Sequence, residues 1–283
     1  MSGLDPRLHA CRPDLADEGL RGRVEAARFV AGEPMEVAAP VLDLHAAPDD
    51  VAIATQVLRG ATVRVFDRAD AMAWVQADAD GYVGWCRADA LATPGGAATH
   101  IVHVARTFVY EPPELRSVPR ATLSMGTAVR VTGAVENRGN RYLALDDGTH
   151  VFADHLRPVD GVEDDFVTVA ERLLGTPYLW GGASALGIDC SGLVQLALAL
   201  CGVAAPRDSD MQETALGRAV SPEAPRRRGD LVFWPGHVGI MASPGDLLDA
   251  NGVAMATTLG RYADKAAGIE AKYGPPRTVR RLS

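Results

Sequence analysis

The chain has 283 residues, of which 47% are hydrophobic and 23% charged, and this composition indicates a soluble globular protein with two or three domains. Its formal net charge is −8, so it lacks the positive surface that binds a phosphate backbone, and nucleic acid is not expected as a partner. The most apolar stretch, residues 193–205, contains Gln195 and is too short to span a bilayer, so no membrane partner is expected either.

The N-terminal sequence and the cysteines predict the compartment. The chain begins MSGLDPRLHACRPDLADEGL, in which charges are scattered and no apolar segment of a secretory signal follows. It has four cysteines, none of them in a CxxC pair. Cys190 and Cys201 would lie roughly 16 Å apart on a shared helix, too far for a disulfide. We therefore expect a reduced protein in the cytoplasm.

The first half of the chain contains a weak internal repeat. A Gly followed closely by a Val-Arg-Val strand occurs in residues 58–65 and again in residues 125–131. Downstream of each copy, residues 81–91 and residues 148–156 contain a Gly, a short alternating strand and a closing Leu. Short strands with Gly turns and without a clear helix are typical of small β-barrels.

Two turn-rich linkers, residues 93–99 and 159–165, separate this region into parts and divide it from the rest of the chain. Each repeated part has enough residues for one barrel. The sequence thus predicts an arm at residues 1–34, one barrel at residues 35–92, a second at residues 99–158 and a C-terminal domain at residues 162–283.

The C-terminal domain has a different pattern. Residues 166–174 have helical spacing, and residues 188–201 read as a strongly apolar, buried helix. Strand-like runs follow at residues 231–234, 237–242 and 247–250. Helices followed by an antiparallel sheet indicate an α+β domain.

A nucleophile is predicted at the start of the apolar helix. Asp189 precedes Cys190 directly, and a short polar residue before an apolar run is a helix N-cap signal. Cys190 then lies in the first turn, where free amide N–H groups and the helix dipole stabilise a thiolate. Cys86 and Cys201 are interpreted as packing residues, since free cysteines are commonly buried.

His237, which follows a Pro-Gly turn at the start of a strand, is the expected base. A third group should accept the Nδ1–H of its imidazole. A turn centred on Ser243 would place Asp249 opposite His237, whereas Asp246 would point to the other face. Asn251 has the right parity but lies one step further along. No histidine pattern indicates a metal, and no metal or cofactor is expected.

These motifs resemble a known family. In family order across residues 166–251, the chain is similar to the NlpC-type (NlpC/P60) peptidoglycan cysteine peptidases, a papain-like superfamily. The upstream segments resemble the bacterial SH3-like barrels that precede this domain in a murein-peptide-recycling branch. The matching motifs are Tyr178-Leu-Trp-Gly-Gly182, Asp189-Cys-Ser-Gly192, Pro206-Arg-Asp-Ser-Asp-Met-Gln212, Arg228-Gly-Asp-Leu-Val-Phe-Trp234 and Gly236-His-Val-Gly239.

The resemblance implies a papain-like NlpC catalytic domain that hydrolyses the amide between γ-D-glutamate and a diamino acid. Its substrates would be murein stem peptides with a free N-terminal L-Ala, and the reaction would serve cell-wall peptide recycling. Cys190 would be the nucleophile and His237 the general base. Asp189 would pair with a substrate ammonium. The residues that would line the substrate subsites are Tyr178, Asp189, Ser191 and Ser209.

One position departs from the family pattern. The family usually has His where this chain has Asp249, although a carboxylate can still orient His237 and should stabilise its imidazolium more strongly. Two alternatives therefore remain open. The chain could be a related Cys-His amidase or acyltransferase on another amide, or a catalytically weakened protein that binds murein peptides.

Overall fold

The structure is a computed structural model that describes residues 3–221 and 224–282. The first two residues of the predicted arm and the last residue of the predicted C-terminal domain lie outside the described residues, as do residues 222–223. The chain divides into two compact units, residues 1–159 and 160–283. No helix in the described ranges has the length and apolar character needed to cross a bilayer.

The first unit consists of short β-strands. The arm contributes two strands, β1 (Leu15–Asp17) and β2 (Arg28–Val30), which pair in parallel. The first β segment contains β3 (Glu33–Val37), β4 (Val41–Leu44), β5 (Thr55–Leu58), β6 (Thr62–Ala69), β7 (Met72–Ala77), β8 (Val83–Arg87) and β9 (Leu91–Ala92). The second contains β10 (His100–Val102), β11 (Arg106–Tyr110), β12 (Ala121–Ser124), β13 (Ala128–Val129), β14 (Val131–Asn137), β15 (Asn140–Leu145), β16 (His150–Phe152) and β17 (Leu156–Pro158).

The two β segments share one pattern of strand pairing. The opening strand β3 pairs with β6, the first strand of the central hairpin, and β10 pairs with β13, which leads into the hairpin β14-β15; each opening strand also pairs with the closing strand, β9 or β17. A 3₁₀ turn precedes each closing strand, at Ala88–Ala90 and at Ala153–His155. The internal repeat inferred from the sequence is therefore confirmed.

The expectation of two closed barrels is not confirmed. The first segment forms an open five-stranded sheet, β8-β7-β6-β3-β9, beside the hairpin β4-β5. The second forms a five-stranded sheet, β12-β11-β16-β15-β14, and a three-stranded sheet, β13-β10-β17. In the second segment the strand breaks at Arg130, between β13 and β14. Its guanidinium instead binds Glu36 and Asp146, an arrangement that the strand pattern does not encode.

Each β segment has its own buried core, and the arm adds a third small cluster. In the arm, Ala10 and Leu15 pack against Trp74 and Trp85 of the first segment. The guanidinium of Arg12 lies 4.4 Å from the centroid of the Trp74 ring, a cation–π contact. The arm is thus held on the first segment by apolar burial and by this cation–π contact.

The second unit mixes helices and strands. Its helices are α1 (Phe166–Glu171), α2 (Cys190–Leu200), α3 (Ser209–Ala215) and α4 (Tyr262–Tyr273). Its strands are β18 (Ala183–Ser184), β19 (Gly187–Ile188), β20 (Arg218–Val220), β21 (Asp230–Trp234), β22 (His237–Ser243), β23 (Asp246–Asn251), β24 (Ala256–Arg261) and β25 (Thr278–Arg281). The predicted first helix ends early, at Glu171, and the apolar helix begins at Cys190 rather than at Ile188.

An antiparallel sheet in the order β20-β25-β21-β22-β23-β24 organises this unit. The apolar helix α2 packs against β22 and β23. Helix α4, which the sequence analysis did not anticipate, places Ala266 and Ile269 against Trp234 and Met241 of the sheet. The sheet therefore brings β22 and β23 into contact with two helices, one of which begins at Cys190.

The apolar helix makes a testable contribution to stability. Leu198 is fully buried on α2, so Leu198→Ala should lower the free energy of unfolding by about 2–5 kcal/mol through the cavity it leaves. Leu186→Ala is the matched control, because Leu186 is half exposed in the turn between β18 and β19, and its effect should stay within about 0.5 kcal/mol. Urea denaturation followed by circular dichroism measures both; equal losses would contradict the assignment of α2 as the buried scaffold.

Candidate active site

The predicted nucleophile is the first residue of a capped helix. Asp189 is the N-cap of α2, and its carboxylate accepts a hydrogen bond of 2.7 Å from the amide of Gly192. Gly192 is required here, because a Cβ at this position would lie 2.4 Å from the carbonyl oxygen of Gly182. The two glycine-containing motifs thus pack backbone against backbone beneath Cys190, which is buried at the head of the helix.

The predicted base is the first residue of a tight hairpin. His237 pairs with Trp234 across a two-residue loop, Pro235-Gly236. Gly236 has φ +70°, a left-handed conformation that glycine adopts without strain. The turn expected from the sequence is therefore present, and it buries the imidazole at the start of β22.

Cys190, His237 and Asp249 are connected in the structure. His237 Nε2 lies 2.9 Å from Asp249 Oδ2, and the Cys190 sulfur lies close enough to the imidazole to raise its pKa. With Nε2 bound to the carboxylate, Nδ1 is the nitrogen that remains for the sulfur. The expectation was the reverse, with the Nδ1–H of the imidazole facing the carboxylate. Strand pattern fixes which residues share a face but not how an imidazole rotates on that face.

The strand register also differs from the expected one. Ile240 pairs with Leu248, and extending this register places Asn251, not Asp249, directly opposite His237. The difference of two residues has two parts: the turn lies at Pro244-Gly245, so that Ser243 pairs with Asp246, and an irregularity between Met241 and Ser243 moves the register back by one residue. Because the shift is even, Asp249 stays on the face of His237 and reaches it diagonally.

Asn251 holds the carboxylate rather than the imidazole. Its Nδ2 donates a hydrogen bond of 2.9 Å to Asp249 Oδ1, the oxygen that does not face His237. Its own side-chain oxygen accepts from the amides of Val253 and Ala254 in the following turn. Asn251 thus fixes the orientation of Asp249.

The electrostatics favour a charged imidazole. Burial alone would lower the pKa of His237, but its hydrogen bonds to Asp249 and Cys190 outweigh burial and raise the pKa to about 10. Burial would raise the pKa of Asp249, yet the hydrogen bond to His237 and the charge of Lys265 lower it. The arrangement therefore supports an imidazolium between a carboxylate and the sulfur.

Helix α4 supplies contacts that the sequence analysis missed. Lys265 forms an ion pair with Asp249 Oδ1, and Tyr273 stacks on His237 with ring planes 5° apart and centroids at 5.9 Å. The sequence carried a signal for this helix: residues 262–273 are rich in the helix formers Ala, Glu and Lys, with Ala266, Ile269 and Tyr273 at helical spacing. Its contacts to the site, however, depend on the tertiary fold.

Arg207 was also missed, and it changes the interpretation of Asp189. The Arg207 side chain is 1% exposed and binds both oxygens of Asp189, at 2.9 and 2.7 Å, and Ser191 Oγ at 2.9 Å. Asp189 also accepts from the amides of Gly181 and Gly192. The expected contact between Asp189 and a substrate ammonium is not supported by this bonding, because both carboxylate oxygens are already taken by the chain itself.

The remaining candidates differ in accessibility. Ser191 is buried within the Arg207 network, whereas Tyr178 and Ser209 are half-buried. Burial, and then the negative charge at Cys190, raise the pKa of Tyr178, so its phenol stays a protonated donor near the nucleophile. Gln212, on α3, donates to the carbonyl oxygen of Ser191 at 2.9 Å and ties α3 to the first turn of α2. Within residues 3–221 and 224–282, no group of three or more His, Cys, Asp or Glu side chains could hold a metal ion.

Comparison with known proteins agrees with this geometry. Residues 175–268 match the NlpC/P60 family, and residues 44–91 match the bacterial dipeptidyl-peptidase SH3 domain. The second unit carries an NlpC/P60 cysteine peptidase domain. The family resemblance inferred from the sequence motifs is therefore confirmed, and so is the presence of a bacterial SH3 domain upstream.

The sequence similarity to two curated relatives extends beyond the NlpC/P60 domain. The chain is 32% identical over 179 residues to dipeptidyl-peptidase 6 of Lysinibacillus sphaericus, with 62% of each protein covered. It is 29% identical over 227 residues to the γ-D-glutamyl-L-lysine dipeptidyl-peptidase of Bacillus subtilis, with 70% of this chain and 72% of that protein covered. The chain thus spans somewhat less than two thirds of the Lysinibacillus relative.

One solved structure has a fold similar to most of this chain. The NlpC/P60 family protein from Bacillus cereus ATCC 10987 superposes with a TM-score of 0.73, covering 88% of this chain and 99% of that one. The two are 19% identical, so this likeness shows the shared fold alone.

The buried Arg207–Asp189 pair of the NlpC/P60 domain should be essential for its stability. Arg207→Met leaves the Asp189 carboxylate buried without a counter-charge, and the free energy of unfolding should fall by about 3–5 kcal/mol. Arg228→Met is the control: Arg228 pairs with the carboxylates of Asp165 and Glu171, but its side chain is 39% exposed, so the loss should amount to about 0–1 kcal/mol. Urea denaturation compares the two variants, and a loss below about 1 kcal/mol in Arg207→Met would show that the pair is not structural.

Proposed function

We propose that this protein is a cysteine endopeptidase that hydrolyses the γ-D-glutamyl–diamino acid amide of short murein peptides with a free N-terminal L-Ala. The observation that carries the proposal is the hydrogen bond of His237 to Asp249 beside the Cys190 sulfur, with Cys190 at the head of a capped helix. Support for the substrate class comes from the relatives, one of which is named for γ-D-glutamyl-L-lysine dipeptidyl-peptidase activity.

The geometry supports a thiolate–imidazolium mechanism. The Cys190 thiolate attacks the amide carbonyl carbon, and the backbone N–H of Cys190 at the start of α2 helps to hold the oxyanion. The His237 imidazolium then gives its Nδ1 proton to the departing amino group of the diamino acid, which leaves a thioester on Cys190. Neutral His237 next takes a proton from water, which attacks the thioester and regenerates the thiolate and the imidazolium. Throughout, Asp249 holds Nε2.

The substrate contacts follow from accessibility. We assign direct contacts to Tyr178 and Ser209, the half-buried candidates, and Tyr178 acts as a protonated hydrogen-bond donor. Asp189 and Ser191 act through Arg207, by fixing the first turn of α2 and so the direction of the Cys190 sulfur. This division replaces a direct role for Asp189 with a positioning role.

The role in recycling and the location are part of the same proposal. We assign cell-wall peptide recycling in the cytoplasm, because short peptides with a free L-Ala are products of wall turnover. Among the described residues, Cys11, Cys86, Cys190 and Cys201 form no disulfide, which fits a reducing compartment. The second β segment, residues 99–158, is proposed to be a second SH3-like domain, because its strand pairing repeats that of the first.

Peptide hydrolysis tests the proposal directly. The protein should release L-Ala-γ-D-Glu from L-Ala-γ-D-Glu-diaminopimelate, and Cys190→Ala should abolish release. The N-acetylated peptide, which lacks the free ammonium, should not be cleaved. Product analysis by mass spectrometry separates the outcomes: cleavage of a different amide would indicate a related amidase, and binding of the peptide without any cleavage would indicate a murein-peptide-binding protein.

The two residues beside His237 should differ in their effect on turnover. Asp249→Ala removes the hydrogen bond to Nε2 and should lower kcat by about 10²- to 10⁴-fold. Asn251→Ala removes a donor to Asp249 and the acceptor for the Val253 and Ala254 amides but no contact to His237, and it should lower kcat by no more than about tenfold. Steady-state kinetics on the same peptide compares them, and the reverse order would transfer the orienting role to Asn251.

A further inference from the structure

The lysines of this chain are concentrated on one helix. Of the 28 basic residues, two are lysines, Lys265 and Lys272, and both lie on α4. Every other basic position is an arginine. A chain with so strong a bias toward arginine has a lysine next to the buried carboxylate of its candidate active site, and the contacts of that lysine indicate why.

The ammonium group of Lys265 is matched to three acceptors. It forms an ion pair with Asp249 Oδ1, and it donates to the carbonyl oxygen of Thr258 at 2.7 Å and to Thr258 Oγ1 at 2.6 Å. An ammonium has three N–H donors on one atom, so all three are used. The planar guanidinium of arginine spreads its five donors over a larger fork, so it can pair with the carboxylate but cannot reach all three acceptors from one nitrogen.

The burial of both side chains makes the positive charge of Lys265 important for Asp249. The Asp249 side chain is fully buried, and that of Lys265 is 13% exposed. A carboxylate buried with only an imidazolium beside it would carry a large desolvation penalty whenever the imidazolium lost its proton. The Lys265 ammonium remains as its counter-charge in that state.

We propose that Lys265 is a positioning residue, whose ammonium keeps Asp249 ionised and aimed at His237 and thereby keeps the imidazolium beside the Cys190 sulfur. The inference rests on the proposed function only in taking Cys190 as the nucleophile. It also accounts for the departure from the usual family histidine: a neutral imidazole at position 249 needs no counter-charge, whereas a buried carboxylate does.

The pKa values and the neighbouring charges agree in direction. Burial raises the pKa of Asp249, and His237 and Lys265 lower it, so that the net shift is downward. The other charged groups that face the sulfur and the imidazole are few. Asp189 and Arg207 form a neutral pair, and the phenol of Tyr178 is uncharged because burial raises its pKa.

Two further charged groups lie on α4 itself. Lys272 lies over Tyr273, the residue that stacks on His237, and its ammonium is 5.0 Å from the centroid of the Tyr273 ring. Asp264 lines a cavity of about 250 Å³ that also borders Asp249 and Lys265. Of the two lysines, only Lys265 forms an ion pair with Asp249 among the described residues.

The reactivity of the Cys190 sulfur tests the proposal without any peptide substrate. The rate of Cys190 alkylation by iodoacetamide would be measured between about pH 4 and pH 10 by mass spectrometry of the Cys190 peptide. Removing a nearby positive charge disfavours the thiolate, so the midpoint should move up by about one pH unit in both Lys265→Met and Lys265→Gln. Lys265→Arg, which keeps the charge, should stay within a few tenths of a unit.

The matched control is Lys272→Met, which removes the same charge from the same helix without touching Asp249. Its alkylation midpoint should shift much less than that of Lys265→Met. The proposal would be overturned if Lys265→Met had a native circular dichroism spectrum and the same alkylation midpoint as the wild-type protein. An equal shift of the midpoint in Lys272→Met would overturn it too. If Lys265→Met does not fold, the comparison of Lys265→Gln with Lys265→Arg decides, since the two differ in charge; identical midpoints in those two variants would also overturn it.

Peptide kinetics supply the second readout. On the murein tripeptide, Lys265→Met should lower kcat by about 10- to 100-fold and leave KM within about threefold, because Lys265 acts through Asp249 and does not touch the substrate. A change confined to KM would contradict the positioning role. Failure of the wild-type protein to cleave the peptide would refute the proposed function, whereas the alkylation result would still stand or fall by itself.

Discussion

The hydrogen bond between His237 and Asp249 is the interaction on which the site depends, because it fixes the orientation of a buried imidazole. An unrestrained imidazole on a strand could rotate and present either nitrogen to the sulfur. With Nε2 held by a buried carboxylate, Nδ1 is directed at Cys190 and keeps that direction through the reaction. The rest of the domain keeps α2, β22 and β23 close enough for this bond and the contact to the sulfur to coexist.

Two buried ion pairs hold these elements in place: Arg207 with Asp189 on the side of Cys190, and Lys265 with Asp249 on the side of His237. Arg207 ties the N-cap of α2 to the loop before α3, so the first turn cannot tilt without breaking a bidentate pair. Lys265 ties the carboxylate on β23 to helix α4. Neither contributes an atom to the reaction. Because each buried charge has a matched partner, the desolvation penalty that would destabilise an isolated group is offset locally.

Local sequence signals predicted the nucleophile and the base, because an N-cap before an apolar run and a Pro-Gly hairpin are encoded within a few residues. The face shared by His237 and Asp249 was also predictable, since strand parity survives an even change in register. The residue directly opposite His237 was not predictable, because the position of the turn and the irregularity after Met241 depend on how the two strands pair. Arg207 and Lys265 were missed for a related reason: each meets its carboxylate only when distant segments pack. Two closed barrels are not confirmed, because a repeat predicts strand pairing but not closure.

In the proposed reaction, the ammonium that pairs with the carboxylate behind the imidazole balances the charge of the site. Before attack, the thiolate, imidazolium, carboxylate and ammonium sum to zero charge. In the tetrahedral intermediate the negative charge moves to the substrate oxygen and the sum is unchanged. After the imidazolium has given up its proton, a neutral imidazole and a thioester remain beside Asp249 and Lys265, and the sum is again zero. Without the ammonium every one of these states would carry one buried negative charge, which a low-dielectric site stabilises poorly. Lys265 therefore allows Asp249 to orient His237 strongly while the site stays electrically neutral at each step.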